Sequence, residues 1–121
     1  MKYLFILFLL LPLDAYAKTE REYTTEWCAT MKGTAFVRLY EGGKFIGEVD
    51  CLTDTHAIEV EFAPKWNQAS SQAMFYELKT RHKAGVAIIH DATEQRYIDR
   101  FLQTLEFSCL HNRIDVFYIV R

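Results

Sequence analysis

Val49 to Tyr76 reads VDCLTDTHAIEVEFAPKWNQASSQAMFY, and the parsing of this stretch decides the fold. Ala57 to Phe62 alternates strictly, with Ile58, Val60 and Phe62 on one side and Glu59 and Glu61 on the other, which is the period of a strand. Pro64 suits the first turn of a helix, where its missing N–H has no role. The helix then carries Trp66, Ala69, Ala73 and Tyr76 as a stripe fit to lie on a sheet, and is expected to run to about Lys83. Gln72 and Tyr76 stand one turn apart on it. Upstream, Val49 to Cys51 ends a preceding strand and Leu52-Thr53-Asp54-Thr55 turns the chain. Strand, turn, strand and helix follow in that order, and Asp50 and Glu59 fall on adjacent strands. Carboxylates in short apolar strands carry a desolvation cost that a cation or a partner must offset.

On the N-terminal side, Tyr23, Trp27 and Met31 recur every four residues from about Glu20 to Met31, one stripe of a helix, with Glu22 and Glu26 in a neighbouring row. Ala35 to Tyr40 alternates, with Ala35, Val37 and Leu39 expected on one face and Phe36, Arg38 and Tyr40 on the other. Glu41-Gly42-Gly43-Lys44 supplies a hairpin turn. The returning strand, Phe45 to Cys51, is expected to set Ile46, Glu48 and Asp50 opposite Phe45, Gly47, Val49 and Cys51. On the C-terminal side, Ala84 to His90 is nearly continuous in its apolar character, as in a buried parallel strand. Asp91-Ala92-Thr93-Glu94 has capping-box spacing, Tyr97, Phe101 and Leu105 mark a helix, and Ile114 to Val120 a last strand. The expected order is αβββαβαβ: an antiparallel meander of three strands continuing through helical crossovers into parallel strands, one α/β domain with helices on the faces of a mixed sheet.

The chain has 121 residues. Lys2, the apolar run Tyr3 to Leu13 and the small-x-small pattern Ala15-Tyr16-Ala17 have the layout of an export signal, too short to span a bilayer. Removal of residues 1–17 from the 121 leaves 104, enough for one thin core. An exported, periplasmic or secreted protein is expected. Of Cys28, Cys51 and Cys109, two are then expected to pair in an oxidising compartment, and the sequence allows three pairings. The formal net charge of −2 argues against coating DNA by bulk electrostatics. It is compatible with a local basic groove, because carboxylates that hold a metal are neutralised by it.

A hard cation such as Mg²⁺ or Mn²⁺ takes oxygen ligands and keeps several waters, so a few carboxylates from neighbouring elements suffice. Asp50, Glu59 and the carbonyl of Val60 can supply such a set, with Glu26 on the first helix as a further carboxylate. Glu61 or Lys65 is placed to help a nearby water lose its proton. The series Glu26, Asp50, Glu59-Val60-Glu61 and Gln72-x-x-x-Tyr76, on helix, strand, strand and helix, resembles the PD-(D/E)xK nuclease superfamily, in particular its RecB-like and phage-exonuclease branch. The resemblance implies a restriction-endonuclease-like three-layer core and Mg²⁺- or Mn²⁺-dependent hydrolysis of DNA. It also implies metal ligation by Asp50 and Glu59 with Glu26, and contact with the DNA backbone from Gln72 and Tyr76. The family's lysine is replaced by Glu61, and Lys65 is the candidate for a migrated one.

Plainer readings stand beside these. Asp50 and Glu59 can belong to the wet face of a meander. Glu26 can be a helix-surface acid, and Gln72 and Tyr76 simple helix packing. A degenerate site of the same fold, binding nucleic acid or serving a structural role in the cell envelope, is the alternative to an enzyme.

Overall fold

The structure is a computed structural model, and it describes residues 17–121. The export-signal reading of residues 1–17 rests almost wholly on positions outside the described residues. Among the described residues no helix is long and apolar enough to cross a membrane.

The elements are α1 (Glu20–Thr30), β1 (Thr34–Glu41), β2 (Lys44–Leu52), β3 (His56–Phe62), a 3₁₀ segment (Ala63–Gln68), α2 (Ala69–Thr80), β4 (Lys83–His90), α3 (Gln95–Phe107) and β5 (Asp115–Val120). The five strands form one sheet in the order β1-β2-β3-β4-β5. β1–β2 and β2–β3 are antiparallel, and β3–β4 and β4–β5 are parallel. A mixed α/β sheet with a meander on one side and crossovers on the other is therefore present. The helix after β3 differs from expectation. Its first six residues are 3₁₀, with a non-helical Lys65 after Pro64, and it ends at Thr80 with Arg81 in the left-handed conformation. Lys83 belongs to β4.

Alternation along β4 buries both of its faces. Ala84, Val86 and Ile88 pack with Ala69 and Ala73 of α2 and Ile98, Phe101 and Leu105 of α3. Ala87 and Ile89 pack with Ile58, Val60, Cys51 and Cys28, the last on α1. Thus α1 covers one face, α2 and α3 the other. The small residues of α2 let its backbone approach the sheet, the reason the sequence carries alanine there. Cys28 and Cys51 form a disulfide that ties α1 to β2, and Cys109 is free and exposed. Polar ties close the strand ends. His56 Nε2 and Lys83 Nζ both reach Asp115, at 2.7 and 3.0 Å, joining the starts of β3, β4 and β5. Glu94, buried, accepts from the Asp91 N–H at 2.9 Å and from Arg121 at 2.8 Å, so the capping sequence also holds the end of β5.

The hairpin is irregular in two places, a bulge where the pairing passes from Leu39↔Gly47 to Tyr40↔Phe45 and a break in alternation further in. Ala35 packs on the α1 side with Cys28 and Cys51, whereas Val37 and Leu39 pack on the α2 side with Val49, Ala57 and Tyr76. Residues two apart in a regular strand share a face, so Ala35 and Val37, and likewise Cys51 and Val49, are expected together and are instead on opposite sides. The break lies between them. Phe36 has φ of 56°, and the ladder passes from Ala35↔Cys51 to Val37↔Val49 without pairing Phe36 and Asp50. A non-glycine residue at positive φ costs on the order of 1–3 kcal/mol and persists only where its surroundings enforce it. This one is directly across from Asp50.

Candidate metal centre

At the kink Asp50 stays within β2 but has no ladder partner on either side. The β2–β3 ladder contains Cys51↔Ile58 and Leu52↔Ala57, and its continuation would set Asp50 opposite Glu59. There the strands part, and the Asp50 carboxylate takes the place of the strand backbone: its Oδ2 accepts the Val60 N–H at 2.8 Å. Glu59 is 5% and Glu61 9% exposed, so both carboxyls lie against protein rather than on a wet sheet face. The buried Glu59 Oε1 has no hydrogen-bond partner. Glu77 Oε2 on α2 is likewise without a partner; each buried, unsatisfied carboxylate oxygen calls for an explanation, a bound ion or water among them.

The acid that α1 brings to this fork is Glu20. Its carboxyl interacts with that of Glu61 and feels the charges of Asp50 and Lys65. Glu26, the expected helix acid, is 61% exposed in its side chain and is paired with Lys18 at 2.7 Å. The reason is helical geometry: six residues at about 100° each carry Glu26 some 240° around the axis from Glu20. The sequence signal for Glu20 is its place in the first turn, behind the Thr19 cap, where the chain enters α1 over the sheet.

Burial sets the protonation of the cluster. Glu59 is pushed up to about 10, by desolvation first and then by its interaction with Asp50. Asp50 is raised as well, by desolvation, against the lowering effect of the Val60 N–H. Glu61 stands at about 7 through desolvation and the nearby charges of Glu20 and Asp50, partly relieved by Lys65. Glu20 is raised, again by desolvation before Asp50. The four acids thus interact as two neighbouring pairs, Asp50 with Glu59 and Glu20 with Glu61, and all four hold a proton more readily than free carboxyls. Among the described residues no group of three or more His, Cys, Asp or Glu side chains is arranged as a ready metal centre.

Lys65 sits on the 3₁₀ turn directly after β3, exposed, and its charge reaches both Glu20 and Glu61. With Arg21, whose charge acts on Asp50, it supplies positive charge to the cluster. Val60 contributes its N–H to Asp50 while its side chain is fully buried in the α1-side core. Tyr76 is 8% exposed, and its hydroxyl accepts the Glu48 N–H at 3.2 Å, so it braces β2 beside the fork. A Cβ on Gly47 would fall 2.7 Å from that hydroxyl oxygen, which is why glycine stands there. Gln72, one turn earlier on α2, is exposed. Tyr76 therefore braces β2 beside the acid cluster, and Gln72 is the member of the pair left on the surface.

Compared with known protein families, with curated proteins and with solved structures, the chain matches none.

Proposed function

We propose that this chain is an exported, divalent-metal-dependent nuclease or nuclease-like protein of the PD-(D/E)xK type, acting on the phosphodiester bonds of DNA. The observation that carries the reading is the parted β2–β3 ladder, with Asp50 fixed by the Val60 N–H and a buried Glu59 oxygen without a partner. The donors are all carboxylate or carbonyl oxygens, the set that suits Mg²⁺ or Mn²⁺ rather than zinc or copper. Asp50 and Glu59 would hold the ion, with the Val60 carbonyl as a further oxygen and Glu20 in the role the sequence had suggested for Glu26. A cation in place of those protons offsets the charge that burial otherwise opposes.

An ion held there would supply Lewis acidity at a phosphate oxygen and a lower pKa for a bound water. The protein's own part is positioning and proton transfer. Glu61, at the edge of the cluster, would take a proton from the water that attacks phosphorus, while the P–O bond to the leaving sugar oxygen breaks and that oxygen is protonated from solvent; this answers the missing lysine of the family pattern. Lys65 stands across the same cluster and stabilises charge developing on the phosphate. Gln72, exposed on α2, is placed to donate to the DNA backbone. The mature chain incubated with plasmid and linear DNA and Mg²⁺ or Mn²⁺ should nick or degrade it, and Asp50→Ala should stop this. Folded wild type that cleaves with neither ion would refute the enzyme and leave a binding protein of the same fold.

A further inference from the structure

The sheet ends in β1, and the face of the β1–β2 hairpin turned away from α2 carries aromatic rings and cations in alternation. Val37 and Leu39 point to the α2 side, so Arg38 and Tyr40 occupy the other. Tyr40 pairs with Phe45 across the hairpin, ring centroids 5.9 Å apart, and the two are 59% and 51% exposed. The Arg38 guanidinium stands 4.6 Å from the Phe45 ring. Further in, Arg21 lies 3.7 Å from the strained Phe36 ring and bonds Glu48, the cross-strand partner of Arg38, at 3.1 Å. Arg21 directly follows Glu20. A continuous track therefore runs from the acid cluster outward: Arg21 with Phe36, Arg38 with Phe45, then Tyr40.

Exposed aromatics on an edge strand are an aggregation hazard that folded proteins normally blunt, so their retention asks for an occupant. Charge selects it. On this face Arg21 and Arg38 stand against Glu48; Glu41 and its cross-strand partner Lys44 alternate to the α2 side, where Glu41 meets Lys79 at 2.9 Å, and of the α1 acids bordering Arg21 and Phe36, Glu26 is paired with Lys18. This positive face sits on a chain of net charge −2. Interleaved rings and cations are the composition of surfaces that stack bases and track phosphates. In a duplex the base faces are covered by their neighbours and only unpaired bases can lie on Phe45 and Tyr40. We infer that the β1–β2 hairpin is a binding platform for single-stranded nucleic acid, leading the strand to the acid cluster. The inference rests on the nuclease reading for the direction of that track, and adds to it the substrate class.

The test is polarisation of a labelled unstructured oligothymidine and of a blunt duplex of equal length, both with the full mature chain in chelator, so that the acid cluster plays no part. The oligothymidine should bind more tightly than the duplex. Tyr40→Ala with Phe45→Ala should weaken it by roughly tenfold or more, and Phe45→Leu, which keeps the apolar bulk and removes the π face, should also weaken it. Arg38→Ala should weaken it and flatten its salt dependence. Equal or tighter duplex binding, or undiminished binding by the ring variants, overturns the platform. So does a concentration-dependent dimer in sedimentation that the ring variants abolish, which would assign the face to a second copy. Cleavage by wild type with intact single-strand binding in the ring variants would refute the platform alone. Platform-dependent binding without cleavage would refute the nuclease alone.

Discussion

Replacing Glu59 by Gln should make this protein more stable at neutral pH, the reverse of what removal of a buried charged group does in a structural ion pair. The Glu59 carboxyl is pushed from an ordinary 4.5 up to about 10. Between those values the folded chain keeps a proton that the unfolded chain has released. The stability that Glu59 contributes is therefore complete below pH 4.5 and is lost as the pH rises through the folded value. At pH 7.5, three units above the unfolded value, the loss would be about 4 kcal/mol if Glu59 titrated alone. Asp50 is raised too and interacts with it, so roughly half of that, about 2 kcal/mol, is expected to be recovered by one substitution. Gln keeps the shape and donates its amide N–H to Asp50. Urea unfolding followed by the fluorescence of Trp27 and Trp66 between pH 4.5 and 8 provides the assay. Glu59→Gln should match wild type at pH 4.5, within about 0.5 kcal/mol, and exceed it increasingly toward pH 8. About 10 mM Mg²⁺ at pH 7.5 should stabilise wild type by about 1.4 kcal/mol for a millimolar site and leave the variant unmoved. A variant that is less stable than wild type at pH 7.5, or parallel to it at every pH, would refute the argument that burial holds this acid neutral.

Other consequences are open to the same kind of measurement. Glu20→Gln should lower metal-dependent cleavage by roughly tenfold or more, and Glu26→Gln should leave it unchanged; equal effects in a plasmid assay would show that α1 does not present Glu20 to the centre. Opening the Cys28–Cys51 bridge, which closes a sequence separation of 23, should cost roughly 3 kcal/mol of stability, read as a fall in urea midpoint on reduction that a Cys28→Ala, Cys51→Ala double variant reproduces without reductant. Tyr76→Phe removes the acceptor of the Glu48 N–H and should cost about 1 kcal/mol. An unchanged urea midpoint would show that the hydroxyl does not brace β2.

The strands and helices were legible because their periods are strong. Ala57 to Phe62 alternates cleanly, Ala84 to His90 is apolar on both faces, and Tyr97, Phe101 and Leu105 repeat at helical spacing. The kink at Phe36 and Asp50 was not legible, since nothing in the local composition distinguishes a phenylalanine at positive φ from one in an ordinary strand. Tertiary packing imposes it, and it moved Val37, Val49 and their neighbours to faces the alternation did not assign. The acids of the two adjacent strands could be found by their cost in an apolar context. The acid of α1 could not be chosen from its stripe alone, because Glu20 and Glu26 are both plausible surface residues until the helix is set over the sheet. Gln72 and Tyr76 share a helix face in sequence but not an environment: the ring goes under β2, and the amide stays outside.

The central claim is that the fork between β2 and β3 holds a divalent cation. Titration of the mature protein with Mn²⁺ at pH 7.5, with free ion read by electron paramagnetic resonance, tests it most directly. A saturable site in wild type, retained in Glu26→Gln and lost in Asp50→Asn and Glu59→Gln, is the predicted result. No saturable binding by folded wild type, or binding undiminished by Asp50→Asn and Glu59→Gln, would contradict it.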